Sequence, residues 1–292
     1  MWEMRDLEVF VEVARLGGFN RASAQLHTAQ SALSRRVANL EHQVGTPLLT
    51  RSKRGVRTTP AGALLLDRAQ SLLRHFEQVR SDMLSEAGVP RGALSIGIPP
   101  SLLGSSSHML AAVKSRFPLV FMRAWVATTV DLRRMLVEGK LDVAIYGSLE
   151  SDPLVKTHRL FDDQLCLVCP RSAGMSSKAS WEEIAKLPLM LPGRPNTVRQ
   201  LVETVAAKRA LTLNVVLEAN DVSLLLALVL RGVGSTILPR SAAYELDPKR
   251  LTLITLPDLR LRWVVATLRE RSLSVASMRI VEVIQELIRN PN

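Results

Sequence analysis

The sequence predicts a multidomain α+β fold in three parts: a small helical module with a basic hairpin, one long helix, and a two-lobed α/β region. Three observations carry that prediction. Apolar residues recur at helical spacing up to residue 44, and a turn-rich basic stretch follows them. A seven-residue hydrophobic repeat then runs from Leu65 to Met83. From Leu94 onward, short apolar runs alternate with helical patterns, the grammar of a parallel sheet covered on both faces. At 292 residues and 47% hydrophobic composition, the chain can build two or three full cores.

In the first part, Leu7, Phe10, Val11 and Ala14 mark a helix that stops at Gly17-Gly18. Asn20 is expected to cap a second, short helix closing near Leu26-His27, and a third runs from about Ala29 to Val44 before Gly45. Leu33, Val37, Leu40 and Val44 fall on one buried face of that third helix. Gln30, Ser31, Ser34 and Arg35 lie on another, where Ala38 is too small to obstruct approach. Two short helices joined by a tight turn, presenting Gln, Ser and Arg, form a helix-turn-helix pattern that suits the major groove: Arg can grip guanine and Gln adenine. Thr46 to Thr59 reads as two short strands about a basic turn, a wing that can lie along phosphates with Arg51, Lys53, Arg54 and Arg57. Between Arg15 and Arg57 eight basic residues meet one acid, Glu41, an excess that favours a polyanion. Net charge over the whole chain is +11, and residues 88 to 292 carry 26 basic and 18 acidic groups, so charge alone does not isolate this module.

Thr59-Pro60-Ala61-Gly62 opens the long helix, with Thr as cap and Pro in the first turn. Leu65, Ala69, Leu72, Phe76, Val79 and Met83 then follow at alternating spacings of four and three. Such a seam suits a two-stranded coiled coil better than packing on the helix's own module, because some twenty-five residues at about 1.5 Å each project far beyond a small domain. Leu65, Leu72, Phe76, Val79 and Met83 are therefore the expected dimerisation contacts, and the dimer would pair two recognition helices as two half-sites require. Gly88-Val89-Pro90-Arg91-Gly92 reads as the hinge that follows.

Strands are expected at Leu94 to Ile98, Leu119 to Val126 and Leu141 to Tyr146, with helices from about Leu102 to Arg116 and from Thr128 to Gly139. A second unit with the same grammar starts near Phe161, with strands at Leu165 to Cys169, Leu189 to Pro192, Leu213 to Ala219, Ser235 to Leu238 and Trp263 to Leu268. Asn196 and Asp221 cap two of its helices, and Ser274 to Ile288 forms the last. Two such lobes suggest a clamshell with a cleft for a small molecule. Ligands bind at the carboxyl ends of strands in such sheets, where Ser101 with Leu102, Thr128, Thr129 and Tyr146 converge, and Thr197 adds a hydroxyl from the second lobe. Hydroxyls beside helix N-termini favour an anionic or amide-rich metabolite, with Arg199 a weaker contributor.

No run of about twenty uncharged apolar residues occurs, so no membrane span is expected. The N-terminus carries acids and enters a helix at once, unlike a signal peptide, and a cytoplasmic protein is expected. Cys166 and Cys169 lie three apart in a strand-like run, where their side chains diverge; buried, inert thiols are the favoured reading over a redox pair. The five histidines are scattered without metal spacing, Asp162-Asp163 would diverge on a strand, and no P-loop or nucleophile motif appears. Neither an enzyme nor a cofactor is expected.

The chain resembles the LysR-type transcriptional regulators over essentially its whole length. The likeness is carried by Leu7-x-x-Phe10, Arg21-Ala22-Ser23-x-x-Leu26-His27, Gln30-Ser31-Ala32-Leu33-Ser34-Arg35, Leu40-Glu41, Gly45-x-x-Leu48-Leu49-x-Arg51 and Thr58-Thr59-Pro60-Ala61-Gly62. It continues in Gly139-Lys140-Leu141-Asp142-Val143-Ala144-Ile145 and Gly232-Val233-Gly234-Ser235-Thr236-Ile237-Leu238-Pro239. Ile96-Gly97-Ile98-Pro99-Pro100-Ser101 is similar to the branch holding nitrogen-assimilation and cyanuric-acid-responsive regulators. Two positions depart from the pattern. Ala29 stands where Ser or Thr is usual, with Thr28 as the expected substitute, and Leu49 stands for Phe.

The resemblance implies a winged helix-turn-helix over residues 1–60, a linker and dimerisation helix over 61–89, and a periplasmic-binding-protein-like effector domain over 90–292. Its first lobe would comprise 90–160 and 268–292, its second 161–267. It further implies groove contacts by Gln30, Ser31, Ser34 and Arg35, wing contacts by Arg51 and Arg54, and an inducer bound between the lobes. The expected partners are double-stranded promoter DNA, a small-molecule inducer, further copies of the chain as a dimer of dimers, and RNA polymerase.

Overall fold

The structure, a computed structural model, describes residues 2–52, 55–84, 90–149, 152–176, 179–243, 249–270 and 273–289. The chain divides into two compact units, Met1–Leu84 and Ser85–Asn292. The long helix falls in the first, and the Gly88-Val89 end of the expected hinge lies outside the described residues.

The first unit is built of α1 (Met4–Leu16), α2 (Phe19–Leu26), α3 (Gln30–Val44), β1 (Leu49–Ser52), β2 (Gly55–Thr58) and α4 (Pro60–Leu84). Glu3 and Asp6 form a capping box on α1, and Gly17 ends it in the left-handed conformation. Helix α2 starts two residues earlier than expected: Gly18 occupies the cap position, so Asn20 sits inside the first turn and caps nothing. The turn into α3 is held by Ser23, whose hydroxyl donates to Thr28 O at 2.7 Å while Thr28 N donates to Ser23 O at 3.2 Å. Thr28 does not replace the missing cap hydroxyl of α3, because its own hydroxyl turns back to Leu26 O at 3.0 Å. Phe10, Val13, Leu33, Leu40 and Leu48 close the core, and Leu49 is buried there too. Val44 departs from its expected place: the last turn of α3 overruns the core and leaves it exposed.

At the far end of α3, Glu41 Oε1 accepts from Leu48 N at 2.8 Å and Leu49 N at 3.0 Å, fixing where the wing begins. Strands β1 and β2 pair antiparallel from Leu49↔Thr58 to Ser52↔Gly55. Thr59 Oγ1 accepts from Gly62 N at 3.0 Å and starts α4 as its sequence requires. The heptad seam of α4 serves two roles along its length. Leu65 is half-buried and Ala69 fully buried against the module's own core, whereas Leu72, Phe76 and Val79 are each 48% exposed and Met83 is 65% exposed. Leu65 therefore belongs chiefly to the core of its own module, and the outward apolar stripe begins only at Leu72.

The second unit contains β3 (Gly92–Ile98), α5 (Leu103–Arg116), β4 (Val120–Val126), α6 (Thr129–Val137), β5 (Val143–Ser148), β6 (Val155–Pro170), α7 (Trp181–Lys186), β7 (Leu189–Leu191), α8 (Thr197–Lys208), β8 (Val215–Glu218), α9 (Val222–Leu230), β9 (Ser235–Pro239), β10 (Leu251–Leu268) and α10 (Val275–Arg289). They form one eight-stranded sheet in the order β4-β3-β5-β10-β6-β9-β7-β8. The wholly parallel sheet expected from the alternating pattern is thereby corrected. Strands β3, β4 and β5 run parallel, as do β7, β8 and β9, but β10 lies antiparallel to both β5 and β6, and β6 antiparallel to β9.

Strands β6 and β10, 16 and 18 residues long, thus join the two parallel groups, and the sequence pattern shows only a segment of each. Arg262 to Ala266 pair with β5, so this stretch belongs with the first lobe, whereas the expected border left it in the second. The register slips between Thr255 and Arg260, and there the Gln164 side-chain amide bridges the carbonyls of Leu256 and Leu259. Cys166 and Cys169 are buried in β6, and desolvation pushes both thiols up from the ordinary cysteine range.

Candidate nucleic-acid interface and ligand cleft

On α3 the structure leaves Gln30, Ser31 and Arg35 exposed and Ser34 half-buried, with the small Ala38 one turn on. Arg51 reaches this face from β1: its guanidinium donates to Ser34 Oγ at 3.0 Å and stacks 4.4 Å from the centre of the Phe19 ring. Arg57 pairs with Thr50 rather than with Arg51 and therefore leaves from the opposite face of the hairpin, where it is exposed. Lys53 and Arg54, at the wing tip, lie outside the described residues. A groove beside α3 is lined by Ser31, Arg35, Arg36, Asn39 and Gln43 together with Glu3 and Asp6. Arg36 is bound to Asp6 at 2.7 Å, whereas Arg35 makes no ion pair among the described residues. The side chains brought together are thus Gln30, Ser31, Ser34, Arg35 and Arg51, and Arg57 stands apart.

In the second unit a cleft opens where the ends of the two parallel groups meet. Ser101, Thr128 and Thr129 line it from the first lobe and Thr197 from the second, as expected. It is tight, with about 50 Å³ open to water. Thr128 caps α6, accepting from Asp131 N at 3.3 Å and donating to Asp131 Oδ2 at 2.8 Å. Thr197 Oγ1 donates to Gly147 O at 3.2 Å, a bond that spans the lobes. Trp263 also lines the cleft, almost wholly buried; its indole Nε1 donates to the buried Asp163 at 3.0 Å, and the same Asp163 oxygen accepts from Ser241 N at 3.3 Å. Its neighbour Asp162 diverges from it, toward Arg159 at 2.6 Å.

Three expected cleft residues are displaced. Tyr146 alternates with Gly147 along β5, so Gly147 meets the cleft while Tyr146 packs among Leu132, Leu136 and Val264 on the other face. Burial, helped by nearby Asp152, pushes its hydroxyl up to about 12. Leu102 is a core residue, 4% exposed, pointing away from the adjacent Ser101 opening. Arg199 is buried and its charge is consumed by Glu203 and by Glu218 at 3.1 Å, with Pro192 O accepting at 3.3 Å. Conversely, sequence reasoning assigned no ligand role to Asn196, Asn220 or Trp263, which all line the cleft. The signal for Asn196 was present, since it caps α8, but a cap and a ligand contact look alike in sequence; Asn220 stands one residue before the Asp221 cap of α9.

The two units match two family descriptions. Residues 4–63 match the bacterial regulatory helix-turn-helix protein, lysR family, and residues 87–289 match the LysR substrate binding domain. The chain belongs to the LysR family. It is 30% identical to the nitrogen assimilation regulatory protein nac of Klebsiella aerogenes, over 99% of this chain and 96% of that one. It is 31% identical to nac of Escherichia coli (strain K12), over 98% of this chain and 95% of that one. In fold it resembles full-length CbnR, solved in complex with its target DNA, with a TM-score of 0.76 and 21% identity over 97% of this chain and 99% of the other. It is a LysR-type transcriptional regulator with a DNA-binding helix-turn-helix domain and an effector-binding domain, and not an enzyme. Among the described residues, no helix is long and apolar enough to cross a membrane.

Proposed function

We propose that Gln30, Ser31, Ser34 and Arg35 enter the major groove of a promoter half-site, with Arg51, Lys53, Arg54 and Arg57 of the wing holding the adjacent backbone. The observation that carries this reading is the Arg51–Ser34 bond, which joins the wing to the exposed polar face of α3 so that both can address one duplex. Residues 1–60 serve as the DNA-binding domain, 61–89 as the linker, and 90–292 as the effector domain. The exposed stripe Leu72, Phe76, Val79 and Met83 pairs with a second copy, and two such dimers assemble on promoter DNA in the cytoplasm, where they influence RNA polymerase. A small effector enters the cleft at Ser101, Thr128, Thr129 and Thr197 and shifts the spacing of the DNA-binding modules.

Footprinting the full chain on the DNA upstream of its own coding sequence tests the first part. Protection of two half-sites about one helical turn or a multiple apart is expected, and absence of protection at modest salt overturns it. For the second part, Thr128→Ala is expected to abolish the effector-dependent change in the footprint, and a retained change removes Thr128 from the site.

A further inference from the structure

The geometry points to a second ligand site on the flank of α8, one that takes a small monocarboxylate with an apolar body. The site is a groove between α8 and the run into β8, the strand at the edge of the sheet, with about 340 Å³ of open space. That falls within the range of small-ligand pockets, roughly 300–1,000 Å³. It shares no lining residue with the cleft. Its polar end is built around a buried cation. Arg199 is 6% exposed, and a guanidinium carries five N–H donors. Nε donates to Glu203, and Nη1 donates to Pro192 O at 3.3 Å and to Glu218 at 3.1 Å. Nη2 has no protein acceptor among the described residues. Thr236 Oγ1 is the one buried side-chain atom sealed away without a partner among the described residues. Nη2 is therefore not sealed, and the groove is an opening that Arg199 lines.

Arg194 repeats the pattern at the rim. Its Nε and Nη2 clasp Glu203 at 3.0 and 2.6 Å, and Nη1 has no acceptor among the described residues. Arg194 first, and Arg199 with it, hold the Glu203 carboxyl below the usual carboxylate range, so it stays charged. The lining thus carries two guanidiniums and one carboxylate, an excess of one positive charge. Glu218 is outside the lining and paired to Arg199, and Arg209, past the end of α8, is paired to Asp258 at 2.6 Å. One negative charge balances the lining, whereas a dianion would be repelled by Glu203 and Glu218, and an ammonium group would meet two guanidiniums. A carboxylate also matches the planar fork that each arginine leaves open. The other end is apolar. Leu211, Leu213 and Val215 are half-buried while Thr212, Asn214 and Val216 between them are exposed. Ala206 and Ala207 line the same groove and are small enough to leave it open. A bare inorganic anion would leave this surface wet, and an apolar molecule would leave Nη2 dry.

The test titrates the full chain with benzoate and hexanoate as monoanions, benzyl alcohol as a neutral counterpart and inorganic phosphate as an anion without a body. Thermal shift and calorimetry read the binding. Ala207→Phe fills the groove from an exposed position on α8, Arg194→Gln removes the rim cation, and Thr128→Ala is the control in the cleft. At least one monoanion is expected to bind more tightly than benzyl alcohol or phosphate. Ala207→Phe should weaken it by roughly tenfold or more and Arg194→Gln by roughly threefold or more, with Thr128→Ala unchanged. The unliganded melting curve of Ala207→Phe should stay near the parent's, and if it falls, Arg194→Gln carries the test. Binding that Ala207→Phe leaves intact overturns the site, and its loss in Thr128→Ala places the ligand in the cleft instead. Benzyl alcohol or phosphate binding as tightly as benzoate overturns the ligand class. No response to either monoanion at millimolar concentration overturns the site. A changed sedimentation profile for unliganded Ala207→Phe overturns it too, because the groove is then filled by another copy of the chain.

Discussion

Arg51 of the wing donates to Ser34 Oγ of the recognition helix at 3.0 Å while its guanidinium lies 4.4 Å from the Phe19 ring centre. One side chain therefore ties β1 to α3 and to Phe19 of α2, using a planar fork and a stacking surface that lysine lacks. Arg51→Lys keeps the charge and loses the geometry. We expect it to weaken operator binding by about 1–2 kcal/mol with little change in the salt dependence. Arg57→Ala, on the other face of the hairpin, is expected to reduce the slope against log salt by roughly one. Fluorescence anisotropy across a salt series separates the two; full affinity in Arg51→Lys would show that Arg51 acts through its charge alone.

Gly62 shows why the Thr-Pro-Ala-Gly start of α4 ends in glycine. A Cβ there would overlap the carbonyl oxygen of Leu48, the residue whose N–H is held by Glu41. Gly62→Ala must push the first turn of α4 off the wing base, at an expected loss of about 2–3 kcal/mol. Chemical denaturation of the Met1–Leu84 unit within the full chain measures it. The ordinary gain from replacing a helical glycine by alanine would appear instead if the two backbones can part freely.

Most of the first unit was legible because its apolar residues follow the period of the element they build. Val44 and Leu65 mislead for one reason: periodicity names a face of a helix without saying where the core beside it begins or ends. In the second unit, strands β3 to β5 and β7 to β9 read correctly as βαβ units. The long antiparallel connectors β6 and β10 did not, since each is apolar in only part of its length and carries exposed polar residues elsewhere. Tyr146 was misplaced by one residue of strand register, which is enough to move a side chain from a cleft to a core. Asn196 and Asn220 were hidden by a structural role, Asn196 holding the N–H groups of Val198 and Arg199 and Asn220 that of Gly193 while both residues line the cleft.

Asp152 governs part of the acid limb of stability. Its hydrogen bond with Arg133 holds the carboxyl below the usual range, with Leu154 N donating to its other oxygen at 3.0 Å. The folded value lies below the unfolded one of about 3.9, so the group stabilises the fold above that pH, and the contribution disappears as pH falls through the depressed folded value. Asp152→Asn should cost on the order of 1 kcal/mol at neutral pH, given an arginine partner that is half exposed. Its deficit against the parent should shrink as pH falls below the unfolded value and through the depressed folded one. Melting curves at a series of pH values check this, and a deficit that stays constant with pH would assign the effect to packing.

Along α4, Ala69 and Phe76 occupy one heptad seam but differ in burial, 2% against 48% exposed. If Leu72, Phe76 and Val79 pair with a second copy, a charge at 76 injures the assembly and a charge at 69 injures the fold. Phe76→Glu is expected to leave the thermal transition of the effector domain and the helical circular dichroism of the first unit near the parent's at high concentration. Sedimentation should show it dissociating at protein concentrations where the parent remains assembled. Two facing Phe side chains withdrawn from water contribute about 1.5–3 kcal/mol each, so the dimer constant should weaken by two orders of magnitude or more. Ala69→Glu is expected instead to unfold the first unit outright, because its side chain has no room and no partner in the apolar core where α4 packs on α1. An unchanged sedimentation profile for Phe76→Glu would mean that the stripe faces something other than its own copy.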